Sequence, residues 1–354
     1  MACVRDPAPP GERPQEYARP ALLEAYSARR PARLPVWFMR QAGRSLPEYR
    51  AVREGTGMLE ACLRPELAAE ITVQPVRRHG VDAAIFFSDI VVPLRTAGVD
   101  VEIVSGVGPV VAEPVRSPAD VDRLVARDAG ESSAVAEGVR LASAELGATP
   151  LIGFAGAPFT LAAYLVEGRP SRDHLAARGL MHADPETWRR LMEWVADLTG
   201  AFLRTQVGAG ARAVQLFDSW AGSLAPADYA AHAAPYSARA LRHVADLDVP
   251  VVHFGTGTSE ILPAMRDVGA DVVGVDYRLP LDEANRRLGG RTPLQGNIDP
   301  ALLTAPWEVL ERHVRDVVAR GSAAPAHVLN LGHGVPPTTD PGVLTRIVEL
   351  AHSL

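Results

Sequence analysis

The chain has 354 residues, 47% of them hydrophobic and 22% charged, the proportions of a folded domain with material for a large core. Its formal net charge of −6 argues against nucleic acid or an anionic membrane as partner, and no apolar run approaches the roughly 20 residues that cross a bilayer. Cys3 and Cys62 are the only cysteines, too few for a disulfide framework or a four-thiolate metal site, so the expectation is no metal and a reducing, cytoplasmic compartment.

In chain order, residues 1–20 are rich in Pro, Arg and Glu, lack a signal-peptide apolar stretch, and read as a disordered lead-in. Residues 21–28 predict a short helix closing one end of the fold. Pro35-Val-Trp-Phe-Met-Arg40-Gln-Ala-Gly-Arg44 then begins as an apolar run fit for a buried strand and turns abruptly into a loop bearing two arginines. Gly43 is the residue expected to let that backbone turn tightly. Arg64-Pro65-Glu66 opens a helix that ends near Gly80. Residues 83–87 predict a second strand with Ser88 and Asp89 just beyond it, and alternating valines from Val99 to Val115 predict an inserted β-hairpin. Ser117-Pro118 starts helical sequence running to about Leu146, with a break near Gly130.

Six more apolar runs follow, at 150–154, 213–217, 249–254, 271–275, 292–295 and 327–331. Asp184-Pro185-Glu186 starts a long helix whose Trp188, Leu191, Val195, Leu198 and Phe202 repeat at core spacing, and Asp299 and Asp340 cap the helices after the last two runs. Eight runs alternating with helices predict an α/β fold: a single (β/α)₈ TIM barrel over residues 21–354, with an N-terminal extension and an inserted β-hairpin. The run at 292–295, short and containing Pro293, is the weakest of the eight.

Active sites of such barrels lie at the carboxyl ends of the strands. The candidates there are Arg40 and Arg44, Ser88 and Asp89, Asp218 and Ser219, and Gly332-His333-Gly334. Singly, each has a plainer explanation: surface ion pairs for the arginines, a helix cap for Asp89, a satisfied core histidine for His333. Together at one mouth they point to a substrate with several acidic groups, because guanidinium forks match carboxylates. The third run leads into Gly153-Phe-Ala-Gly156-Ala-Pro158; tight packing accounts for its small residues but not for Tyr164, a phenolic donor on the next helix. Gly255-Thr-Gly257-Thr-Ser259 has the makings of a phosphate loop, yet Glu260 stands where a dinucleotide fingerprint needs glycine, and a turn with Ser259 as helix cap is the plainer account.

The stretches Pro35 to Arg50, Phe87-Ser-Asp89-Ile90, Gly153 to Gly168, Phe217-Asp-Ser219-Trp-Ala-Gly222 and Leu331-Gly-His333-Gly334 resemble, in this order, the signatures of the uroporphyrinogen decarboxylase family. The resemblance runs from about residue 35 to the C-terminus. It implies a carboxy-lyase of haem and porphyrin biosynthesis that removes CO₂ from the four acetate side chains of uroporphyrinogen III to give coproporphyrinogen III, without cofactor, as a cytoplasmic homodimer. Matching positions imply that Arg40, Gln41, Ala42, Gly43 and Arg44 line the substrate cleft, and that Asp89, Tyr164, Ser219 and His333 contact the tetrapyrrole. One position departs: Met58 stands where many members carry phenylalanine.

Loss of CO₂ from a pyrrole acetate leaves a carbanion-like centre unless the ring first takes a proton. Without a cofactor the substrate is its own electron sink, so an ionised Asp89 is expected to stabilise the ring cation, making it catalytic. Arg40 is expected to hold carboxylates and to deliver the proton, itself or through a water, ahead of His333 and Tyr164. Two rivals stand beside this reading. A zinc methyltransferase-like barrel would want thiolates at the mouth. A non-catalytic tetrapyrrole carrier would not need Asp89, whose charge opposes an acidic ligand.

Overall fold

The computed structural model describes residues 19–127, 130 and 132–354, so the lead-in assigned to residues 1–20 lies outside the described residues except for Arg19 and Pro20. Nine strands are present among them: β1 (Ala84–Ile85), β2 (Val101–Val104), β3 (Gly108–Val111), β4 (Leu151–Gly156), β5 (Ala213–Asp218), β6 (Val251–Gly255), β7 (Val272–Gly274), β8 (Leu294–Ile298) and β9 (His327–Leu331). β2 and β3 pair antiparallel as the inserted hairpin. The other seven form one curled parallel sheet in the order β1-β4-β5-β6-β7-β8-β9, with helices in the connections. β4, β6, β8 and β9 are buried at every position, as parallel strands covered on both faces must be.

The eighth stave of the predicted barrel is the segment at 35–37, reduced to a single bridge between Val36 and Leu329. On one side Leu329 N–H donates to the Pro35 carbonyl at 2.9 Å and Trp37 N–H to the Leu329 carbonyl at 3.3 Å. On the other, Asp82 N–H donates to the Val36 carbonyl at 2.8 Å. The segment is not a full strand because the Asp82 carboxylate takes the Val36 N–H at 2.8 Å, so a side chain replaces the neighbouring backbone acceptor. Thus 35–37 joins the two edges of the seven-stranded sheet.

Other boundaries moved for local reasons. The second run yields only Ala84–Ile85, while Phe86 and Phe87 continue as buried loop. The run with Pro293 gains length rather than losing it: β8 starts at Leu294, leaving the proline outside to offer only its carbonyl, which Val273 N–H reaches at 3.1 Å. Asp340 caps the helix Pro341–Ser353, whereas Asp299 caps a 3-10 turn, Pro300–Thr304. Ser259 caps nothing; the helix there is Leu262–Asp267, entered through Ile261. The predicted break near Gly130 separates helices Pro118–Val125 and Ser133–Leu146, the first held by a capping box between Ser117 and Asp120.

The N-terminal helix Ala21–Tyr26 brings Tyr26 into the core, where its hydroxyl donates to Gln295 Oε1 at 2.5 Å. Trp37 Nε1–H donates to the same oxygen at 3.1 Å, and Gln295 Nε2 donates to Gln215 Oε1 at 2.9 Å. These side chains are fully or almost fully buried, and burial raises the Tyr26 phenol pKa, so it stays a donor. The long helix Pro185–Gly208 buries Trp188, Leu191, Val195, Leu198 and Phe202 along one stripe, each stabilising by about 1.5–3 kcal/mol. Its Gln206 grips β4, accepting from Phe154 N–H at 2.9 Å and donating to the Phe154 carbonyl at 2.8 Å. A Cβ on Gly153 would lie 3.0 Å from Gln206 Cβ, and one on Gly156 would lie 2.9 Å from Leu161 Cδ2, so packing does account for those small residues.

Gln41 belongs to this structural set. It is fully buried; its Oε1 accepts from Phe38 N–H at 3.0 Å and its Nε2 donates to the Ala83 carbonyl at 3.0 Å, tying the arginine loop to the residue before β1. Replacing it with leucine leaves two buried backbone groups unpaired, each costing about 1–3 kcal/mol. Gln41→Leu should therefore lower unfolding stability by about 2–4 kcal/mol in urea titration. A loss below about 0.5 kcal/mol, within the range of ordinary surface changes, would contradict the structural role.

Candidate functional site

The arginine loop leaves the 35–37 stave under tension. Arg40 has φ of +61°, a left-handed conformation costing a non-glycine residue about 1–3 kcal/mol unless its surroundings impose it. They do: Met39 N–H donates to Asn330 Oδ1 at 2.9 Å, Val335 N–H donates to the Met39 carbonyl at 2.8 Å, and Gln41 is anchored as described. The left-handed residue of the loop is therefore Arg40. Gly43 is needed for close approach, since a Cβ there would lie 3.0 Å from the Arg40 carbonyl oxygen.

The loop after β9 completes the arrangement. A Cβ on Gly334 would collide with Arg40 Cδ and Cγ, so the arginine side chain lies directly across that glycine. A Cβ on Gly332 would strike the backbone of Tyr277. Both glycines that flank His333 thus serve close approach.

Arg40, Tyr164, Ser219 and His333 line one cleft of about 500 Å³, together with Ile90, the residue after Asp89. Among the described residues none that lines it is acidic, so a protein of net charge −6 has a local cationic opening. Among the described residues neither Arg40 nor Arg44 has a carboxylate within the 4.0 Å of an ion pair, which removes the plain explanation by surface pairing. Arg44 is exposed and is not among the residues lining the cleft; its carbonyl accepts from Arg50 at 2.6 Å. Ala42 and Gly43 are partly exposed, while Gln41 is fully buried with its side-chain amide and its backbone N–H, which donates to the Phe38 carbonyl at 3.0 Å, both spent internally.

Asp89 sits just behind the lining, half-buried, with Oδ1 accepting from Val91 N–H at 3.1 Å. Desolvation raises its pKa, against the lowering effects of the Val91 amide and the Arg40 charge. Burial and then the Asp89 charge push the Tyr164 phenol up to about 12, with Arg40 opposing, so it remains a hydrogen-bond donor at neutral pH. Desolvation, then Arg40 and Arg278, lower the His333 pKa against the pull of Asp276. The shared influences place Arg40 within electrostatic reach of all three groups.

Several cleft residues carried no clear sequence signal. Arg172 adds a second cation to the lining beside Arg40. Trp220 is sandwiched between Tyr164, with ring centroids 3.9 Å apart, and His174, 4.2 Å away and inclined by 21°. His174 is itself left-handed at φ +50°, and burial lowers its pKa, so the stack is uncharged at neutral pH. The Trp220 loop is fixed from below: Thr160 Oγ1 donates to Asp218 Oδ1 at 2.9 Å and accepts from Trp220 N–H at 3.3 Å. Thr256, also in the lining, donates to the Ser219 carbonyl at 2.7 Å. The feature that could have flagged Trp220 is its place directly after Asp218-Ser219, at a strand end; nothing in sequence announced its partner His174.

Three further readings are corrected or located here. Gly257 N–H is already occupied by the buried carboxylate of Asp276, which also pairs with Arg278, so the loop at 255–259 holds an internal anion rather than a free phosphate cradle. Met58 has its sulfur against Arg53 Nη1 at 3.0 Å and Tyr49 Oη at 3.9 Å. Ser88 is partly buried with its hydroxyl unpartnered, and Cys62 is buried with its thiol pKa raised first by desolvation and then by Asp89.

Known proteins match this chain over nearly its whole length. The uroporphyrinogen decarboxylase of Arthrobacter sp. (strain FB24) is 70% identical over 333 residues, covering 94% of this chain and 96% of that relative. The uroporphyrinogen decarboxylase of Leifsonia xyli subsp. xyli is 65% identical over 352 residues, covering 94% and 93%. Among solved structures, a methyltransferase from Methanosarcina mazei superposes with a TM-score of 0.78 at 19% identity, over 95% of this chain and 98% of that one, a likeness of fold. The family model described as uroporphyrinogen decarboxylase matches residues 18–354, and the chain belongs to that family.

Proposed function

We propose that this chain removes CO₂ from the acetate side chains of uroporphyrinogen III, giving coproporphyrinogen III, with residues 21–354 acting as one catalytic unit. The observation that carries the reading is the carboxylate of Asp89, next to the lining residue Ile90 and within the influence of Arg40, at a cleft whose described lining holds Arg40 and Arg172 and no acidic residue. The cations suit the substrate's carboxylates; a carrier of the same ligand would gain nothing from Asp89.

In each cycle a pyrrole carbon takes a proton, giving a ring cation. The bond from the acetate methylene to its carboxylate then breaks, its electron pair moves into the ring, and CO₂ leaves. The exocyclic methylene takes a proton and the ring loses one, so the net change is acetate plus a proton to methyl plus CO₂. Ionised Asp89 accepts hydrogen bonds from pyrrole N–H groups and stabilises the cation. Tyr164 and Ser219 donate to the substrate, and the Trp220 face offers its ring an apolar wall. Lowering of the His333 pKa depletes its acidic form at neutral pH, which favours a water held by Arg40 as the proton source. Arg40, the backbone N–H groups of Ala42 and Gly43, and Arg44 grip carboxylates and select the acetate in position, while the buried Gln41 holds the loop in place.

Among the described residues no helix is long and apolar enough to cross a membrane. A cytoplasmic location and a homodimeric assembly complete the reading on family resemblance.

Anaerobic incubation of metal-stripped protein with reduced uroporphyrinogen III should yield porphyrins of seven to four carboxylates after oxidation and chromatography; persistence of the eight-carboxylate species on a folded, binding protein would support the carrier. Asp89→Asn should cost far more in kcat than in substrate affinity, and equal losses would sink the cation mechanism. The kcat–pH profile should fall on the acid side as Asp89 takes up its proton, at a pH above the ordinary aspartate value of about 3.9, and Asp89→Asn should remove that limb. Gly334→Ala should fold normally yet lose turnover by about 100-fold, because the new methyl displaces Arg40. Circular dichroism with steady-state kinetics separates that result from simple misfolding.

A further inference from the structure

Outside the cleft, His182 near the end of helix Leu175–Ala183 faces Asp228 and His232, one turn apart on helix Pro226–His232. One donor atom from each of the three lies within 4.8 Å of the others, with His182 Nε2 3.6 Å from Asp228 Oδ2 and the two imidazole centroids 5.6 Å apart. We propose that this trio binds a divalent transition-metal ion of the zinc class, at a site separate from the decarboxylation chemistry.

The donor set fits. Two imidazoles and one carboxylate are the borderline ligands that zinc and cobalt accept, and three protein ligands leave a position for water. Donors around tetrahedral zinc sit about 3.3 Å apart, so the trio needs only modest side-chain rotation. The freedom for it exists: among the described residues none of these three side chains is engaged in a hydrogen bond, and His182 is 57% exposed.

Other histidine–carboxylate pairs lack that freedom. Asp197 beside His243 is taken by Arg239 at 2.7 and 2.6 Å. Asp82 beside His352 is shared with Arg33 and the Val36 amide. His253 beside Asp218 is fully buried with Nδ1 committed to the Met265 carbonyl at 3.0 Å. At the trio, by contrast, the backbone is fixed while the donors are free: Trp188, buried, donates its indole N–H to the His232 carbonyl at 3.1 Å.

The site's position gives the ion a consequence. Helix Leu175–Ala183 begins directly after His174, and helix Pro226–His232 follows Gly222 and Ser223, all three in the cleft lining. An ion shared by the two helices braces both leads into the cleft and stabilises the native state by mass action.

The test is titration of chelator-treated full-length protein with Co²⁺, read by visible absorption, followed by displacement with Zn²⁺. One equivalent per chain should bind with the d–d bands of a low-coordinate nitrogen and oxygen site. His182→Ala, His182→Gln and His232→Ala should each weaken binding at least tenfold, and zinc should raise the thermal midpoint of the wild type but not of His182→Ala. Metal-free wild type and His182→Ala should turn over equally. Binding that is unsaturable, or unchanged in both His182 variants, would mean an adventitious ion only and overturn the proposal.

Discussion

Everything at the cleft depends on how the sheet is closed. Residues 35–37 are held to a single bridge by the Asp82 carboxylate on the Val36 N–H, yet their backbone groups pair with Leu329 on one side and Asp82 on the other. That pairing seats Trp37 in the core and fixes the direction in which the next residues leave it. Met39, Arg40 and Gln41 are then held by Asn330, Val335 and Ala83, all residues of the two edges being joined. Closure of the fold and aiming of its foremost cation are one set of hydrogen bonds, which is why a left-handed arginine persists there.

The electrostatic design is economical. An acidic protein receives an acidic ligand by clearing carboxylates from one surface and keeping cations unpaired along it. Against that background Asp89 is costly for binding and useful only when positive charge develops on the ligand. Its raised pKa has the same origin, burial outweighing the help of Arg40. The uncharged stack of Tyr164, Trp220 and His174 supplies a face to which charge is indifferent.

Much of this was legible in sequence because period and punctuation were strong. The eight apolar runs, the helix from Pro65 to the left-handed Gly80, the hairpin and the stripe on Pro185–Gly208 all follow from local pattern. The convergence of Arg40, Tyr164, Ser219 and His333 followed from topology, since strand ends share one rim. What escaped was set by partners far away in sequence. Gln41 read as a ligand contact but is a buried strut, because Ala83 and Phe38 claim its amide. The left-handed backbone of Arg40 gave no signal, because the anchors of Met39 that impose it lie at least 291 residues away. His174 gave no signal since its value lies in a ring contributed by another loop.

The crossing of Arg40 over Gly334 has a consequence for how the protein comes into being. The loop near the start of the chain is held by Asn330, 291 positions later, and by Gly334 and Val335 just after His333. A ribosome therefore releases the arginine long before anything exists to hold it, and a chain stalled before its last strand carries the residue without the site. Competence arrives with the final segment synthesised, as a property of the finished chain rather than of any fragment.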